Sequence, residues 1–526
     1  MSALSDSIVA RLQDAGVGAV FGVPGGGGNL DLIESAGRAG LRFVLTSTET
    51  GAALAALGQA EVTGRPGACL ATLGPGAASL VNGVACAYLD RAAVLVFTDR
   101  HPLAARDRYT HQHLDQRALF LPITKWSGTL SADALETAMR VVLDAPPGPV
   151  HIECPDDADP VPTGDHAAPP AATPTPAPDW RAALHAAVST ARKPLVIAGL
   201  GARRTEDAAA IRALCATRGI PAMVTYKAKG VVPDDHPGFA GVFTNASIER
   251  PLVEASDLII GLGLDPVELL PRPWPYRQPV IYVGSWPVAT GHVPFGLQCI
   301  TAVGEAVGTI DRALPASAWN VDDIGRDRAR QRHLIDIPAD GLTAQRVVEI
   351  AAARLAATHR VTVDAGAHMV PATMIWPVAE PNGMLISNGL STMGFALPAA
   401  IGAAVADPDR PVVALTGDGG LLMCAAELLT ASREQLPIIT IVLNDASLSL
   451  IEIKQQQKRY PAAGVALGPV DWTSLSRGFG VAPFLARDEP ELVGAIEQAA
   501  GRRGPSLIEA RIDRSSYART FQAVRG

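Results

Sequence analysis

The chain has 526 residues, 48% of them apolar and 18% charged, with 50 glycines and 42 prolines. That composition fits a well-packed, loop-rich α/β protein and excludes a disordered one, and at roughly 150 residues per domain it makes about three domains. The net charge is −8 and no block of lysine and arginine stands out, which argues against nucleic acid or an anionic membrane surface as a partner.

The amino end is charged and amphipathic with no apolar core stretch, so no signal peptide is expected, nor is any later run long enough for a membrane span. A strand over Gly18–Gly22 runs into Gly22-Val23-Pro24-Gly25-Gly26-Gly27-Gly28, either a ligand loop at a strand's carboxyl end or a flexible surface loop. A second strand, Arg42–Leu45, leads to Thr48-Glu49-Thr50-Gly51. Glu49 there reads either as a first-turn acid favoured by the helix dipole or as a site residue. The third, Ala68–Thr72, ends at Gly74-Pro75-Gly76 ahead of a helical pattern from Ala77 to Tyr88, and a fourth covers Ala93–Thr98. Three successive strand ends with glycine-rich or acidic turns are more than a core needs.

Residues 156–180, rich in Pro, Ala and acids, read as an extended tether. Strands at Pro194–Ala198, Leu258–Gly261 and Val280–Val283 form a middle group. The Gly199-Leu200-Gly201-Ala202 turn after the first of these is more often a packing turn than a nucleotide site. The charged stretch Asp322–Arg332 marks a second boundary, and Val361–Val363 opens the last group. Within that group Pro411–Thr416 ends in Gly417-Asp418-Gly419-Gly420. A helix is predicted over Leu421–Arg433, then Ile438–Leu443 stops at Asn444-Asp445, and Leu507–Ala510 is the last strand. Asp418 and Asp445 therefore sit at the carboxyl ends of neighbouring parallel strands, where open α/β sheets bind ligands. Paired carboxylates beside glycines suit a hard cation bridged to phosphate oxygens. The expected fold is α/β, three doubly wound parallel-sheet domains at 1–155, 181–335 and 340–526. The six scattered cysteines show no zinc spacing and read as reduced, buried residues of a cytoplasmic protein.

Phe21–Gly26, the Glu49-Thr50-Gly51 box, Leu73–Thr98, Ser387–Ala403 and the Gly417 and Asn444 turns together resemble the acetolactate synthase and pyruvate oxidase-like thiamine diphosphate (ThDP) enzymes. The resemblance spans almost the whole chain. It implies a pyrimidine-binding, a middle and a diphosphate-binding domain. It also implies a homodimer or homotetramer in which Glu49 of one chain meets Asp418 of its partner. By the same resemblance Glu49 hydrogen-bonds the cofactor pyrimidine N1′ and promotes loss of the thiazolium C2 proton. Met393 is the wedge that keeps the cofactor bent, or else a core gap-filler. The Ser391 backbone accepts from the 4′-amino group. Gly74, Pro75, Gly76, Asn82, Gly417, Gly419, Gly420, Leu448, Leu450 and Ile451 complete the cofactor pocket, and Asp418, Asp445 and the Ser447 carbonyl bind Mg2+. Asp445 departs from the family's usual asparagine and adds negative charge beside the diphosphate.

Gly26 stands where simple decarboxylases of this family carry Asp or Ser. A glycine cannot shuttle protons, which favours carboligation. Gln112 matches the active-site glutamine of acetolactate synthases, whereas His111 replaces their phenylalanine. His111 and His113 are either proton-transfer residues or loop histidines. Lys454 falls where those synthases have tryptophan, meeting either an anionic acceptor or solvent. Flavin-binding segments are not recognisable, so no FAD is expected. The resemblance thus implies a ThDP- and Mg2+-dependent 2-oxo acid decarboxylase/carboligase, a transferase or carboxy-lyase. The alternatives are a 2-hydroxyacyl-CoA lyase or oxalyl-CoA decarboxylase acting on an acyl substrate, and an idle paralogue serving as a binding subunit.

Overall fold

The computed structural model describes residues 3–102, 108–155 and 179–526. Three six-stranded sheets follow one another along the chain, and every pairing within them is parallel. Near-continuous apolar strands such as Val412–Gly417 and Ile438–Asn444 require this, because helices cover both faces of a parallel sheet. The first sheet places its strands in the order Arg42–Leu45, Ala19–Gly22, Gly67–Ala71, Val94–Arg100, Val150–Pro155, Trp126–Thr129. The third runs Met384–Ile386, Arg360–Val363, Val412–Gly417, Ile438–Asn444, Ser506–Arg511, Ala482–Ala486. Counted along the chain, both orders are 2-1-3-4-6-5. The middle sheet differs, with Phe239–Val242, Ala222–Val224, Pro194–Ala198, Leu258–Leu262, Val280–Gly284, Leu297–Ile300 in the dinucleotide-fold order 3-2-1-4-5-6.

The first and third domains share one core. Helices Glu49–Thr63 and Ala396–Ala406 are apolar around most of their circumference, which marks helices buried on all sides. Small residues let their backbones nearly touch: a Cβ on Gly402 would fall 1.8 Å from the Ala55 carbonyl. Any side chain there would drive the two domains apart.

One ammonium group ties all three domains. Lys227, 1% exposed in the middle domain, reaches Glu61 Oε1 at 2.7 Å and Asp90 Oδ2 at 3.2 Å, both in the first domain. It also donates to the Ile386 carbonyl of the third domain at 3.0 Å. Burial works against the charge on Lys227, but Asp90 and Glu61 outweigh it and raise its pKa. Arg203 shares Glu61 at 2.9 Å.

The helix expected over Leu421–Arg433 is two helices, Asp418–Cys424 and Glu427–Arg433, and the first begins on Asp418 itself. The charged stretch Asp322–Arg332 lies within helix Val321–Ile335. The tether at 156–180 falls outside the described residues except for Asp179 and Trp180, where Asp179 caps helix Trp180–Val188 by accepting from Ala182 N at 3.0 Å. All six cysteines are free and buried. Among the described residues no helix is long and apolar enough to cross a membrane.

Candidate active site

In the third sheet the strand order reverses between Arg360–Val363 and Val412–Gly417, and the crevice outside such a reversal is where open sheets take ligands. Asp364 leaves the first of these strands and Asp418 the second. Register pairs Gly417 with Leu443, so Asn444-Asp445 emerges alongside. Asp418 is 4% exposed. Its Oδ1 accepts from Gly419 N at 2.7 Å, while its Oδ2 is buried without a partner. Burial first and the Asp445 charge second push Asp418 up to about 6. Asp445 is also raised, by burial; Ser447 N at 3.1 Å and Ser449 Oγ at 2.5 Å donate to its two oxygens. Ser447 is itself buried, and the loop is clasped by Leu448 N to Val465 O and Leu467 N to Ala446 O, at 2.8 and 3.0 Å.

The Ser387–Phe395 segment hangs over the same edge. Asp364, fully buried and pushed by burial up to about 6, accepts from Gly394 N, Phe395 N, Ala365 N and Thr416 Oγ1 at 2.8–3.1 Å. Ser391 takes a left-handed conformation, φ 54°, within this segment. Met393 Cε and Leu448 Cδ2 converge on Gly419, at 3.3 and 2.6 Å from where its Cβ would stand. Leu450 is half-buried and Ile451 is 44% exposed on helix Ser449–Gln457, which also leaves Lys454 exposed. Asn82 reaches this segment from the first domain, its Oδ1 accepting from Thr392 Oγ1 at 3.1 Å.

The first sheet carries the other residues at the equivalent edge. Glu49 is the first residue of helix Glu49–Thr63, capped by Thr48 Oγ1, which accepts from Gly51 N at 2.9 Å. Its Oε1 lies against the Gly74-Pro75-Gly76 turn, 3.3 Å from a Cβ placed on Gly76. Gly74 has φ 64° and would bring a Cβ within 2.7 Å of the Gln112 carbonyl, so only glycine fits there. Gln116 fastens the turn, accepting from Gly74 N at 2.9 Å and donating to Asp99 O at 2.9 Å. Gln112 is exposed with φ 57°, His111 is exposed, and His113 is half-buried and stacked 6.4 Å from His101. Gly26 is exposed, with open space where a Cβ would stand.

The middle sheet has its own reversal, at the Gly199-Leu200-Gly201-Ala202 turn, but the amides there are occupied. Gly199 N bonds Leu262 O, Gly201 N bonds Gly263 O and Ala202 N bonds Gly199 O, while Leu200 N donates to the buried Glu268 Oε2 at 2.8 Å.

Comparison with known proteins matches three family models in order: the N-terminal TPP (thiamine pyrophosphate) binding domain of thiamine pyrophosphate enzymes over residues 3–119, their central domain over 182–308, and their C-terminal TPP binding domain over 364–510. The chain is 30% identical to the acetolactate synthase of Bacillus subtilis (strain 168), over 97% of its own length and 93% of the relative's. It is 29% identical to the catabolic acetolactate synthase of Raoultella terrigena, over 97% and 95%. It is 31% identical to the probable 2-ketoarginine decarboxylase of Pseudomonas aeruginosa, over 96% and 93%. The chain belongs to the thiamine pyrophosphate enzymes. Within them it is acetolactate synthase-like, a ThDP-dependent enzyme that makes or breaks carbon–carbon bonds in 2-oxo acid chemistry.

The site's chemistry fits the thiamine pyrophosphate enzymes' cofactor and a cation. Asp418 Oδ2 is a buried carboxylate oxygen with nothing to bond, an arrangement that costs free energy unless a cation or donor completes it. Among the described residues no cluster of three or more His, Cys, Asp or Glu side chains has metal-holding geometry. Two carboxylates beside backbone carbonyls are the kind of oxygen donors that suit a hard cation such as magnesium, which completes its shell with phosphate oxygens and water. Two residues of this site, Asp364 and His368, escape sequence reading, and so does Glu427, which bonds the Thr48 amide and hydroxyl just ahead of Glu49. His368 is 4% exposed, its ring 3.3 Å from a Cβ placed on Gly417, and its Nε2 is buried without a partner. Burial lowers its pKa to about 4, so it meets the crevice as a neutral ring. The available signal was the Val361-Thr362-Val363-Asp364-Ala365-Gly366 run, a strand ending in acid and glycine like the strand before Gly417.

Proposed function

We propose that the protein is a magnesium-dependent, flavin-free decarboxylase/carboligase acting on a small 2-oxo acid, working in the cytoplasm as a homodimer or homotetramer. The observation carrying this reading is the unpartnered Asp418 Oδ2 beside Asp445 at the strand-order reversal. Asp418, Asp445 and the Ser447 carbonyl hold magnesium. Gly419, Gly420 and the His368 ring line the seat of the diphosphate, with the Gly419 amide already held by Asp418 Oδ1. Ser391, Met393, Leu448, Leu450 and Ile451 seat the rings. When bound, thiamine diphosphate supplies the electron sink that lets a 2-oxo acid lose CO2 and couple to a second carbonyl.

Glu49 holds a proton at the pyrimidine N1′, across a subunit boundary. Exposed apolar side chains support such a boundary beside both half-sites: Leu45, Leu30 and Leu121 on the first domain, Leu422, Met423 and Leu429 on the third. Gly26 provides no proton donor, which favours coupling over protonation to an aldehyde. Gln112 orients the substrate, with His113 beside it. The occupied amides of the middle-domain turn support the absence of a flavin or dinucleotide there.

The test is CO2 release from pyruvate, 2-oxobutyrate, benzoylformate, glyoxylate and oxalyl-CoA with ThDP and Mg2+, with and without an added aldehyde, products identified by mass. Release that rises with acceptor and yields a coupled product is expected. Turnover of oxalyl-CoA alone replaces this reading with acyl-CoA chemistry. No turnover, with no ThDP binding, leaves an idle paralogue.

A further inference from the structure

Glu427 is wholly buried at the start of helix Glu427–Arg433 in the third domain, yet its partners are mostly in the first. Its Oε1 accepts from Thr48 N at 3.0 Å and Thr48 Oγ1 at 2.9 Å. Its Oε2 accepts from Ser47 N at 3.2 Å and from its own helix's Thr430 Oγ1 at 2.7 Å. A Cβ on Gly51 would stand 2.2 Å from Oε1, so the carboxylate lies directly over the first turn of helix Glu49–Thr63. Thr48 Oγ1 therefore passes the contact on, donating to Glu427 and accepting from Gly51 N. The residue between Thr48's amide and that capped turn is Glu49.

The seam continues on both sides. Ser47 Oγ donates to Ala426 O at 2.7 Å, Arg42 pairs with Glu434 at 2.5 Å, and Arg433 donates to the Leu45 carbonyl. The helix break at Ala425-Ala426 belongs to this seam. Alanine has the highest helix propensity, so the sequence there favours an unbroken helix. At the break, the Ala426 carbonyl meets Ser47 and Glu427 reaches Thr48.

We propose that Glu427 is a positioning residue for Glu49, fixing from the third domain the turn on which that carboxylate stands. This rests on the role given to Glu49 above. A carboxylate set over a helix N-terminus satisfies amides the helix leaves open and interacts favourably with its dipole. Such a clamp holds the Thr48-Glu49 backbone without touching cofactor or substrate. Glu427 also follows Asp418 within one short helix and a turn, so the diphosphate-binding turn and the glutamate of the other half-site share a single support.

The experiment compares wild type, Glu427→Gln, Thr48→Val, Glu49→Gln and the Glu49→Gln/Glu427→Gln double variant. It reads the thermal upshift on adding ThDP and Mg2+, and separately the rate of C2–H exchange of the bound cofactor by proton NMR after acid quench. Glu427→Gln is expected to keep the upshift and slow exchange by roughly tenfold or more, as displacement of an oriented group does. The same change in the Glu49→Gln background is expected to slow it no further. Thr48→Val, at a partly exposed position, is expected to slow exchange in the same direction and decides the matter should Glu427→Gln not fold. Unchanged exchange in both variants, additive losses with Glu49→Gln, or an upshift that collapses together with exchange each overturns the proposal. Should wild type bind ThDP yet show no exchange, the role of Glu49 fails, and the positioning role with it.

Discussion

The first and third domains lay out their strands in one order and present corresponding turns at corresponding strand ends, yet they carry opposite chemistry. After the first strand the one has the Gly22–Gly28 loop and the other Asp364 to His368. After the second come Thr48-Glu49 and Ser387–Met393, and after the third Gly74-Pro75-Gly76 and Gly417-Asp418-Gly419. The third domain gathers carboxylates and an orphaned oxygen, the makings of a cation and diphosphate seat. The first offers one glutamate at a helix start and a turn tightened by Gln116, the makings of a proton-handling edge. A shared scaffold fixes where a site lies, and the turn residues decide what it does.

If that division holds, lesions in the two domains separate. Glu49→Gln is expected to slow C2–H exchange by about 10²–10⁴-fold with the thermal upshift on ThDP and Mg2+ retained; an upshift lost together with exchange merges the two half-sites into one. Asp418→Ala, which removes a direct ligand, is expected to weaken Mg2+-dependent cofactor binding by at least the roughly 10–100-fold that loss of an outer-shell partner costs, read by titrating Mg2+ against the upshift. An unchanged Mg2+ midpoint removes the cation seat from the third domain. His368→Ala, which deletes a neutral polar ring beside Gly417, should weaken ThDP binding by about tenfold or less; equal losses of affinity for ThDP and for thiamine monophosphate would place the ring away from the terminal phosphate.

A separate effect, on stability and not on the site, concerns the middle sheet, where Glu268 fills a turn that a ligand fills elsewhere. Burial pushes Glu268 from 4.5 up to about 8. Its pKa is raised on folding, so its contribution to stability is complete below about 4.5 and declines until pH passes about 8. Glu268→Gln, which mimics the protonated acid, should therefore match wild type near pH 4.5 and become progressively more stable than it towards pH 8. Melting temperatures across that range check this, and a constant difference sinks it.

The sheets were legible because strand and helix periods alternate along the chain and strand ends carry glycine or acid. The Asp418 and Asp445 turns were legible for the same reason. The break at Ala425-Ala426 was not, because local propensity opposes it and its partners, Ser47 and Thr48, lie far off in sequence. Asp364, His368 and Glu427 escaped for a related reason. Each is a single polar residue among apolar ones, and its meaning depends on which amides or glycines the fold brings to it.

Lys227 limits how this architecture can be recombined. Glu61 and Asp90 are buried carboxylates whose charge is answered from the middle domain, and a buried ion that loses its partner typically costs about 3–5 kcal/mol. A different middle domain grafted between the outer two would have to bring its own cation to the same point, or arrive with both acids already replaced. The middle domain, though remote from the chemistry, is thereby bound into a shared inheritance with its neighbours.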